Sequence, residues 1–304
     1  MSLTTSGTNN KIKMAGSTLL FNITGYIILS ILALFCIFPF IMLVSGSLTA
    51  EESIARYGYG IIPRAFDTNA YELLFRNPGE IVRAYGVTIL VTVSGTFLGL
   101  FITSMTAYVL SRQDFRYRNG FAFFFYFTTL FNGGTLTIYI FFIKYLSLKD
   151  NYLALILPLL INVFYLLIMR SFMASIPSSI IESAKIDGAG EFLIYVKLIL
   201  PLSKSGLTTI GLFILLNYWN DWYNAMLYIS DYKKYPLQYM LYNMLSATEA
   251  ISRISSSAGI EISNMPAQSL KMAMAVVATG PVLLVYPFVQ KYFVKGITIG
   301  AVKG

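Results

Sequence analysis

The sequence has no histidine, and Cys36 is its only cysteine. Within a single chain these absences exclude a disulfide, a zinc site of cysteine and histidine, a serine–histidine–aspartate triad and a cysteine–histidine dyad. The phosphate-binding loop GxxxxGKS or GxxxxGKT is also absent, so the chain has no ATP site of that kind. We therefore expect this chain not to be an enzyme and to bind no metal and no cofactor.

Charge is scarce as well. Charged residues make up 12 % of the 304 residues and hydrophobic residues 56 %, whereas soluble domains contain about 25 % charged and about 45–50 % apolar residues. With a mean hydropathy of +0.67, this composition excludes a typical cytosolic enzyme, a disordered chain and a nucleic-acid-binding module. It favours one polytopic membrane domain.

Long apolar stretches account for most of the chain. A helix needs about 20 mostly apolar residues to cross the bilayer core, and six stretches qualify, near residues 18–45, 84–109, 121–147, 152–173, 206–229 and 271–290. They predict an all-α integral membrane protein with six transmembrane helices. Its predicted parts are a cytoplasmic N-terminal tail (1–17), a transmembrane domain (18–290) and a cytoplasmic C-terminal tail (291–304).

Two of the predicted spans contain helix-breaking residues. The third span is interrupted by the run NGG at 132–134, which predicts a kink or local unwinding. The sixth span contains Pro281 and Pro287, and proline inside a helix removes a backbone hydrogen bond. We therefore expect the sixth span to bend near the middle of the membrane.

The basic residues indicate which end of the bundle faces the cytoplasm. With a cytoplasmic N-terminus, twelve of the 22 Lys and Arg residues lie in inner segments, three of them in the short segment 110–120. Basic residues concentrate in short cytoplasmic loops, so we predict that both termini are cytoplasmic. The two long outer loops, 46–83 and 230–270, then either fold over the outer mouth and meet a partner or serve as simple connectors.

An inner loop, residues 177–203, separates the fourth and fifth spans and is far longer than a simple connection. Within it, Ser179 and Glu182 have the spacing of a capping box at a helix start. Gly188 predicts a left-handed helix terminator, and a second helix follows as far as Pro201. The loop is thus predicted to be two short helices joined by a glycine turn at the cytoplasmic face.

The spacing within this loop matches the signature EAA-x3-G-x9-I-x-L-P, which marks the integral-membrane subunits of ATP-binding-cassette importers. The matching residues, with Ser183 and Leu198 as mild departures, are Glu182, Ser183, Ala184, Gly188, Leu198, Leu200 and Pro201. The triplet DGA at 187–189, the run YWND at 218–221 and the tail QKYFVKGITIGAVKG resemble the carbohydrate branch, and within it the second permease subunit of the maltose type. The resemblance covers residues 20–304, nearly the whole chain.

The resemblance implies a permease subunit that forms half of a translocation pathway. The importer it belongs to would be driven by ATP, depend on a binding protein and take up carbohydrate, with an oligosaccharide as the expected cargo. The implied partners are a second homologous permease, two cytoplasmic ATPase subunits that bind ATP and magnesium, and an extracellular sugar-binding protein, in a bacterial cytoplasmic membrane. The alternatives are an importer of a non-sugar solute, an ion-coupled secondary transporter and a membrane-embedded enzyme.

In this family the inner loop docks into a cleft on the ATPase, and we call it the coupling loop. The implied coupling residues are Glu182, Ser183, Ala184, Asp187, Gly188, Leu198 and Pro201. Glu182 has two interpretations, helix capping alone or capping together with a contact to the ATPase, and Asp187 is interpreted as closing the glycine turn. Gly296, Gly300 and Lys303 belong to a flexible basic tail that either inserts between the ATPase subunits, as in the maltose type, or anchors the chain to the membrane.

Span five contains a polar stripe. Asn217, Asn220, Asp221 and Asn224 follow a helix-compatible spacing, beside aromatic residues that include Trp219. A carboxylate inside the membrane should face protein or water, and amides beside aromatic rings suit a polyhydroxylated sugar. We predict that these five residues line the substrate pathway; the alternative is an interfacial aromatic belt with hydrogen bonds between helices.

Overall fold

The computed structural model describes residues 16–131, 133–258 and 266–301. Over these ranges the chain is helical apart from turns and an isolated bridge between Thr49 and Phe66. In chain order the α-helices are α1 (Gly16–Ser47), α2 (Glu51–Tyr57), α3 (Asn69–Leu74), α4 (Pro78–Ser111), α5 (Arg118–Leu130), α6 (Thr135–Ile140), α7 (Leu153–Ile156), α8 (Val163–Ala174), α9 (Ser178–Ile186), α10 (Glu191–Ile194), α11 (Leu200–Leu202), α12 (Lys204–Trp219), α13 (Tyr223–Tyr228), α14 (Leu237–Ala258) and α15 (Ala267–Ala301). The predicted all-α fold is confirmed.

Three helices, α1, α4 and α15, are each long and apolar enough to cross a membrane. Three bent pairs meet the same criterion when each pair is taken as one span, with bends of 108°, 56° and 84°. These pairs are α5 with the segment Thr135–Tyr145, the segment Leu153–Leu159 with α8, and the segment Glu191–Leu202 with α12. The described chain therefore has three such helices, or up to six spans if each bent pair crosses once, and the six-span count stays a prediction.

The first of these bends lies where the sequence predicts an interruption. α5 ends at Leu130, Gly134 has a φ of +80°, and α6 begins at Thr135. Glycine adopts this left-handed backbone without a steric penalty, so the chain leaves one helix and starts the next at a steep angle. The predicted interruption is confirmed; Asn132 itself lies outside the described residues.

The last span is one helix. α15 passes through Pro281 and Pro287 and continues beyond residue 291, so the prediction of a flexible C-terminal tail is wrong for its described part. Gly296 and Gly300 do not end the helix, because glycine lowers helix propensity by only about 1 kcal/mol and no proline follows Pro287. Lys303 lies outside the described residues.

The core is built around α4. This helix packs along α8 and α12, and it also contacts α5 and α14. Gly95 on α4 lets the ring of Tyr218 on α12 approach closely, and the Tyr218 hydroxyl donates a hydrogen bond to the carbonyl of Ile156 at 2.7 Å. Small residues at helix contacts allow this kind of close packing in membranes.

Both predicted outer loops contain helices that pack on the bundle. The first loop contains α2 and α3, and the second contains α14, which packs against α15 and α4. The carboxylate of Glu51 on α2 accepts hydrogen bonds from the backbone N–H groups of Gln268 and Ser269 at 2.9–3.0 Å, and so caps the start of α15. The outer loops are therefore part of the packed structure and more than simple connectors; their contact with a partner stays a prediction.

Gly95→Ala should destabilise the protein, because the added Cβ would lie 2.5 Å from Cζ of the buried Tyr218 ring. Overpacking of this kind costs about 1–3 kcal/mol. Gly86→Ala is the matched control, since Gly86 lies on the same helix and a methyl group added there would have no neighbour within 4 Å, and it should be neutral or slightly stabilising. Thermal unfolding in detergent measures both variants, and equal unfolding midpoints would contradict the packing argument.

Candidate functional site

The coupling loop begins with helix α9. This helix starts at Ser178, and Pro177 before it occupies the N-cap position with no side-chain cap. Pro177, with φ −58° and ψ 132°, turns the chain directly into the helix. Ser179 therefore lies inside the first turn, where its hydroxyl is in no position to cap. The predicted capping box is wrong.

Glu182 is exposed on α9, and no hydrogen bond or ion pair joins it to another described residue. Capping alone therefore does not account for this carboxylate. Next to it, α9 and residues 111–114 border a cleft of about 180 Å³. The tip of the loop is apolar, since Ile186 is 86 % exposed and Phe192 is 62 % exposed. An exposed apolar tip beside a free carboxylate has the chemistry of a docking surface for another protein.

The glycine turn after α9 is closed by backbone hydrogen bonds. Gly188 has a φ of +81°, and its N–H donates to the carbonyl of Lys185 at 3.0 Å. The N–H of Ala189 donates to the carbonyl of Ala184 at 2.9 Å. These two bonds form the Schellman motif that ends many helices. The predicted terminator is confirmed, and exposed Asp187 is the C-cap residue directly before it.

The second arm of the coupling loop is one helical segment, Glu191–Leu202, which contains a π-helical turn at Tyr195–Ile199. This turn directly precedes the Leu200-Pro201 step, where proline has no N–H to continue the α-helical hydrogen bonds. Half-buried Leu198 packs against the core. The chain then bends by 84° into α12, so the predicted second helix is confirmed and leads directly into the fifth span.

A cluster of polar side chains ties both arms of the loop to the end of α4. We call it the anchor cluster, and it consists of Tyr108, Arg112, Asp114, Lys185 and Glu191. Lys185 Nζ lies 2.7 Å from Glu191 Oε1, across the glycine turn, and 3.1 Å from Asp114 Oδ2. Arg112 pairs with Asp114 through two guanidinium nitrogens and reaches Glu191 at 3.4 Å. Tyr108 donates a hydrogen bond to Glu191 Oε2 at 2.8 Å.

Arg112 is the least exposed of the charged members of the anchor cluster, with a side chain that is 10 % exposed. The hydrogen bond from its guanidinium, followed by the one from Lys185, holds the pKa of the Asp114 carboxyl below its ordinary value. Single surface ion pairs contribute little to stability, but here the groups share partners and fix the loop at several points. The one sequence signal for this cluster is the basic segment 110–120, which by itself indicates orientation and gives no partner for Arg112.

Helix α12 ends at Trp219, so the continuous helical stripe predicted for span five is wrong. The chain leaves the helix at Asn220 and Asp221, and α13 begins at Tyr223. The Asp221 carboxylate accepts hydrogen bonds from the backbone N–H of Asn224 at 3.1 Å and from its side-chain amide at 2.9 Å. Asn and Asp side chains compete for backbone groups in this way and favour helix ends over helix interiors.

Asn217 and Trp219 are held by neighbouring helices. The Asn217 amide donates to the Tyr165 hydroxyl at 3.1 Å. Trp219 is 7 % exposed, and its Nε1 donates to the carbonyl of Ala278 on α15 at 3.1 Å. Trp219 therefore joins two helices in this conformation, in line with the alternative prediction of helix–helix hydrogen bonding. A pathway role stays a prediction for all five residues, Asn217, Trp219, Asn220, Asp221 and Asn224.

Gly188→Ala should destabilise the coupling loop by about 1–2 kcal/mol, because a Cβ is strained in the left-handed conformation. Gly190→Ala is the matched control in the same turn, since Gly190 has a φ of −72°, which any residue adopts. Limited proteolysis of the loop, together with thermal unfolding in detergent, measures the effect. Equal sensitivity of the two variants would contradict the role given to the turn.

Asp114→Asn should lower the unfolding temperature at neutral pH, because it removes the acid that Arg112 and Lys185 hold ionised. The folded-state pKa of Asp114 lies below its ordinary value of 3.8, so its stabilisation is fully present above that pH and is lost as the pH falls below it. We expect the difference in unfolding temperature between the variant and the wild type to shrink as the pH falls from about 7 to about 3. A difference in unfolding temperature that stays constant over this pH range would contradict a stabilising role of the ion pairs of Asp114.

The chain matches known proteins over most of its length. A family model described as "Binding-protein-dependent transport system inner membrane component" matches residues 95–299. The chain is 41 % identical over 285 residues to the polygalacturonan/rhamnogalacturonan transport system permease protein YtcP of Bacillus subtilis. This alignment covers 94 % of the present chain and 99 % of YtcP. It is 27 % identical over 278 residues to the trehalose/maltose transport system permease protein MalG of Thermococcus litoralis, covering 90 % and 94 % of the two chains.

A solved structure is similar as well. It is the crystal structure of a bacterial ABC transporter involved in the import of the acidic polysaccharide alginate, one chain of which matches with a TM-score of 0.74 and 29 % identity. The match covers 92 % of this chain and 98 % of that one. The resemblance found in the sequence is therefore confirmed: the chain is an integral membrane protein that belongs to the family of inner-membrane components of binding-protein-dependent transport systems.

Proposed function

We propose that this chain forms half of the translocation pathway of an importer for acidic oligosaccharides and is moved by a separate ATPase that docks on the coupling loop. The observation that carries the proposal is the anchored coupling loop. A Schellman turn joins its two helices, and the anchor cluster ties both helices to α4. The loop exposes apolar side chains at its tip, beside the carboxylate of Glu182. Such a loop transmits a displacement as a rigid body, because the turn and the anchor cluster both oppose bending.

The loop is connected to the bundle in a way that suits force transmission. Its second arm, Glu191–Leu202, continues through the bend into α12. The Tyr195 hydroxyl on this arm lies 2.7 Å from the Ser104 hydroxyl on α4. A push on the loop therefore moves α4 and α12, which pack along each other. In the proposed cycle, ATP binding closes the ATPase pair and opens the spans outward, and ATP hydrolysis restores the inward-facing state.

The proposal requires other subunits: a second homologous permease, two cytoplasmic ATPases that bind ATP and magnesium, and an extracellular sugar-binding protein. We assign the coupling loop and both termini to the cytoplasm of a bacterial cell, and the outer loops to the side of the binding protein. Gly296 and Gly300, in the helical end of α15, and Lys303 beyond it are assigned to the side of the ATPases.

The proposed cargo rests on the relatives. YtcP is named for polygalacturonan and rhamnogalacturonan, and the structurally similar transporter imports the acidic polysaccharide alginate. Polygalacturonan is a polymer of galacturonic acid and carries carboxylates as well. We therefore propose short fragments of a uronic acid polymer, delivered by the binding protein, as the cargo of the importer to which this chain contributes.

Glu182→Gln should leave folding intact and reduce ATP-driven uptake about tenfold or more. The substitution keeps the size of the exposed side chain and removes the charge, and loss of one partner of a charge pair at a protein interface costs about 2–5 kcal/mol. The measurement is uptake of trigalacturonate, together with ATP hydrolysis stimulated by the loaded binding protein, for the complete importer in proteoliposomes.

Asp187→Asn is the comparison variant for this experiment, because Asp187, although it is among the implied coupling residues, is the C-cap before the glycine turn and is interpreted as closing that turn. It removes a negative charge from the same loop, and asparagine suits the end of a helix before a glycine turn. We expect this variant to retain coupled ATP hydrolysis. Uptake at the wild-type rate by Glu182→Gln, or equal losses in both variants, would contradict a specific role of Glu182 in docking.

A further inference from the structure

We infer that a cleft at the outer end of the bundle, opposite the coupling loop, is a subsite for an acidic sugar, formed by Trp222, Gln238, Tyr242 and Lys271. The inference rests on the proposed function and names the residues through which this chain itself would hold the cargo. The cleft has a volume of about 240 Å³, and its other lining residues are apolar side chains of α14 and α15. We call it the aromatic cleft.

Two stacked rings form one wall of the aromatic cleft. Trp222 and Tyr242 lie with their ring centroids 4.5 Å apart and their planes 20° apart. They are 37 % and 39 % exposed, unlike buried Trp219. The ring of Tyr239 continues the row, nearly parallel to Tyr242 at 17°. An aromatic surface of this kind covers the apolar C–H face of a sugar ring, whose hydroxyl groups then point sideways.

Amide groups lie beside these rings. Gln238 Nε2 is 3.4 Å from Asn220 Oδ1, and Asn220 lies in the break between α12 and α13. Each amide has both donors and acceptors, which is what the hydroxyl groups of a sugar require. The break in span five thus has a chemical consequence, because it brings Asn220 and Trp222 to one side of the chain together with the first turns of α14.

A cation lies at the other side of the aromatic cleft. Lys271, near the start of α15, lines the cleft, and its Nζ lies 2.7 Å from Glu249 Oε1 on α14. The ammonium group has three donors, so Glu249 holds Lys271 in place and leaves donors for a second carboxylate. Among the described residues that line the cleft, Lys271 is the charged one. The cleft therefore favours a sugar that carries a carboxylate over a neutral sugar of the same shape.

Tryptophan fluorescence tests the aromatic cleft directly, since the chain has only two tryptophans, Trp219 and Trp222. In the full chain with Trp219→Phe, purified in detergent, trigalacturonate should change the emission of Trp222 in a saturable manner. Tyr242→Leu in this background should weaken the apparent affinity about tenfold, because it removes the stacked partner. An emission that does not respond to trigalacturonate would overturn the inference.

The methyl ester of trigalacturonate tests the role of the charge, because it keeps the sugar rings and converts each carboxylate into an uncharged ester. Lys271→Gln should weaken the binding of trigalacturonate about tenfold, the loss expected for one charge-assisted hydrogen bond, and leave the binding of the ester unchanged. Equal binding of the acid and the ester to the chain with Lys271 intact would overturn the assignment to acidic sugars.

Uptake by the complete importer separates this inference from the proposed function. We expect Trp222→Leu to raise the half-saturating concentration of trigalacturonate about tenfold. The control Phe35→Leu, at an exposed aromatic side chain of α1 outside the cleft, should have no effect. Fluorescence binding without uptake would support the aromatic cleft and contradict the proposed importer. Uptake without a fluorescence response would contradict the aromatic cleft alone.

Discussion

Arg112 is the group on which the position of the coupling loop depends. Its guanidinium is nearly buried at the end of α4 and has acidic partners both in its own segment and on the second arm of the loop. Arginine stays charged in proteins, and a buried charge without partners is costly, so Asp114 and Glu191 must remain close to it. Charge pairing therefore fixes the loop against α4, while the apolar tip of the loop is left exposed.

The end of the bundle that carries the coupling loop contrasts with interruptions farther along the helices. The chain leaves the helix around Gly134 and again at Asn220 and Asp221. Such breaks are tolerated inside a membrane protein when side chains satisfy the freed backbone groups, as Asp221 does for the N–H of Asn224. In the proposed cycle, motion that enters through the coupling loop and α12 would arrive at these interrupted segments, and we propose that the helices change their relative angle there.

Local patterns predicted the local features of this fold. Apolar stretches predicted the helices that are long and apolar enough to cross a membrane, while the six-span count stays a prediction. Gly134 and Gly188 adopt positive φ angles at the predicted interruption and the predicted helix end. Two of the wrong predictions involved competition between local preferences. Pro177 starts α9 before Ser179 can cap it, and Asp221 lies at the end of a helix that the spacing of the polar residues predicts to continue. The anchor cluster was beyond such reasoning, because the pairs that join its two parts lie 71 to 83 positions apart in sequence and meet only when α4 packs against the loop.

The anchor cluster also explains why the carboxylate of Glu182 is left free. It contains two basic and two acidic side chains, so its charges cancel without Glu182. Glu182 neither caps α9 nor forms an ion pair with a described residue, so it adds nothing evident to the stability of the loop. A cation on a docking protein would find this carboxylate unpaired, and exclusion of water at the interface would strengthen their attraction. The charges that hold the loop and the charge proposed to bind the ATPase are therefore different groups, and each can be changed without removing the other.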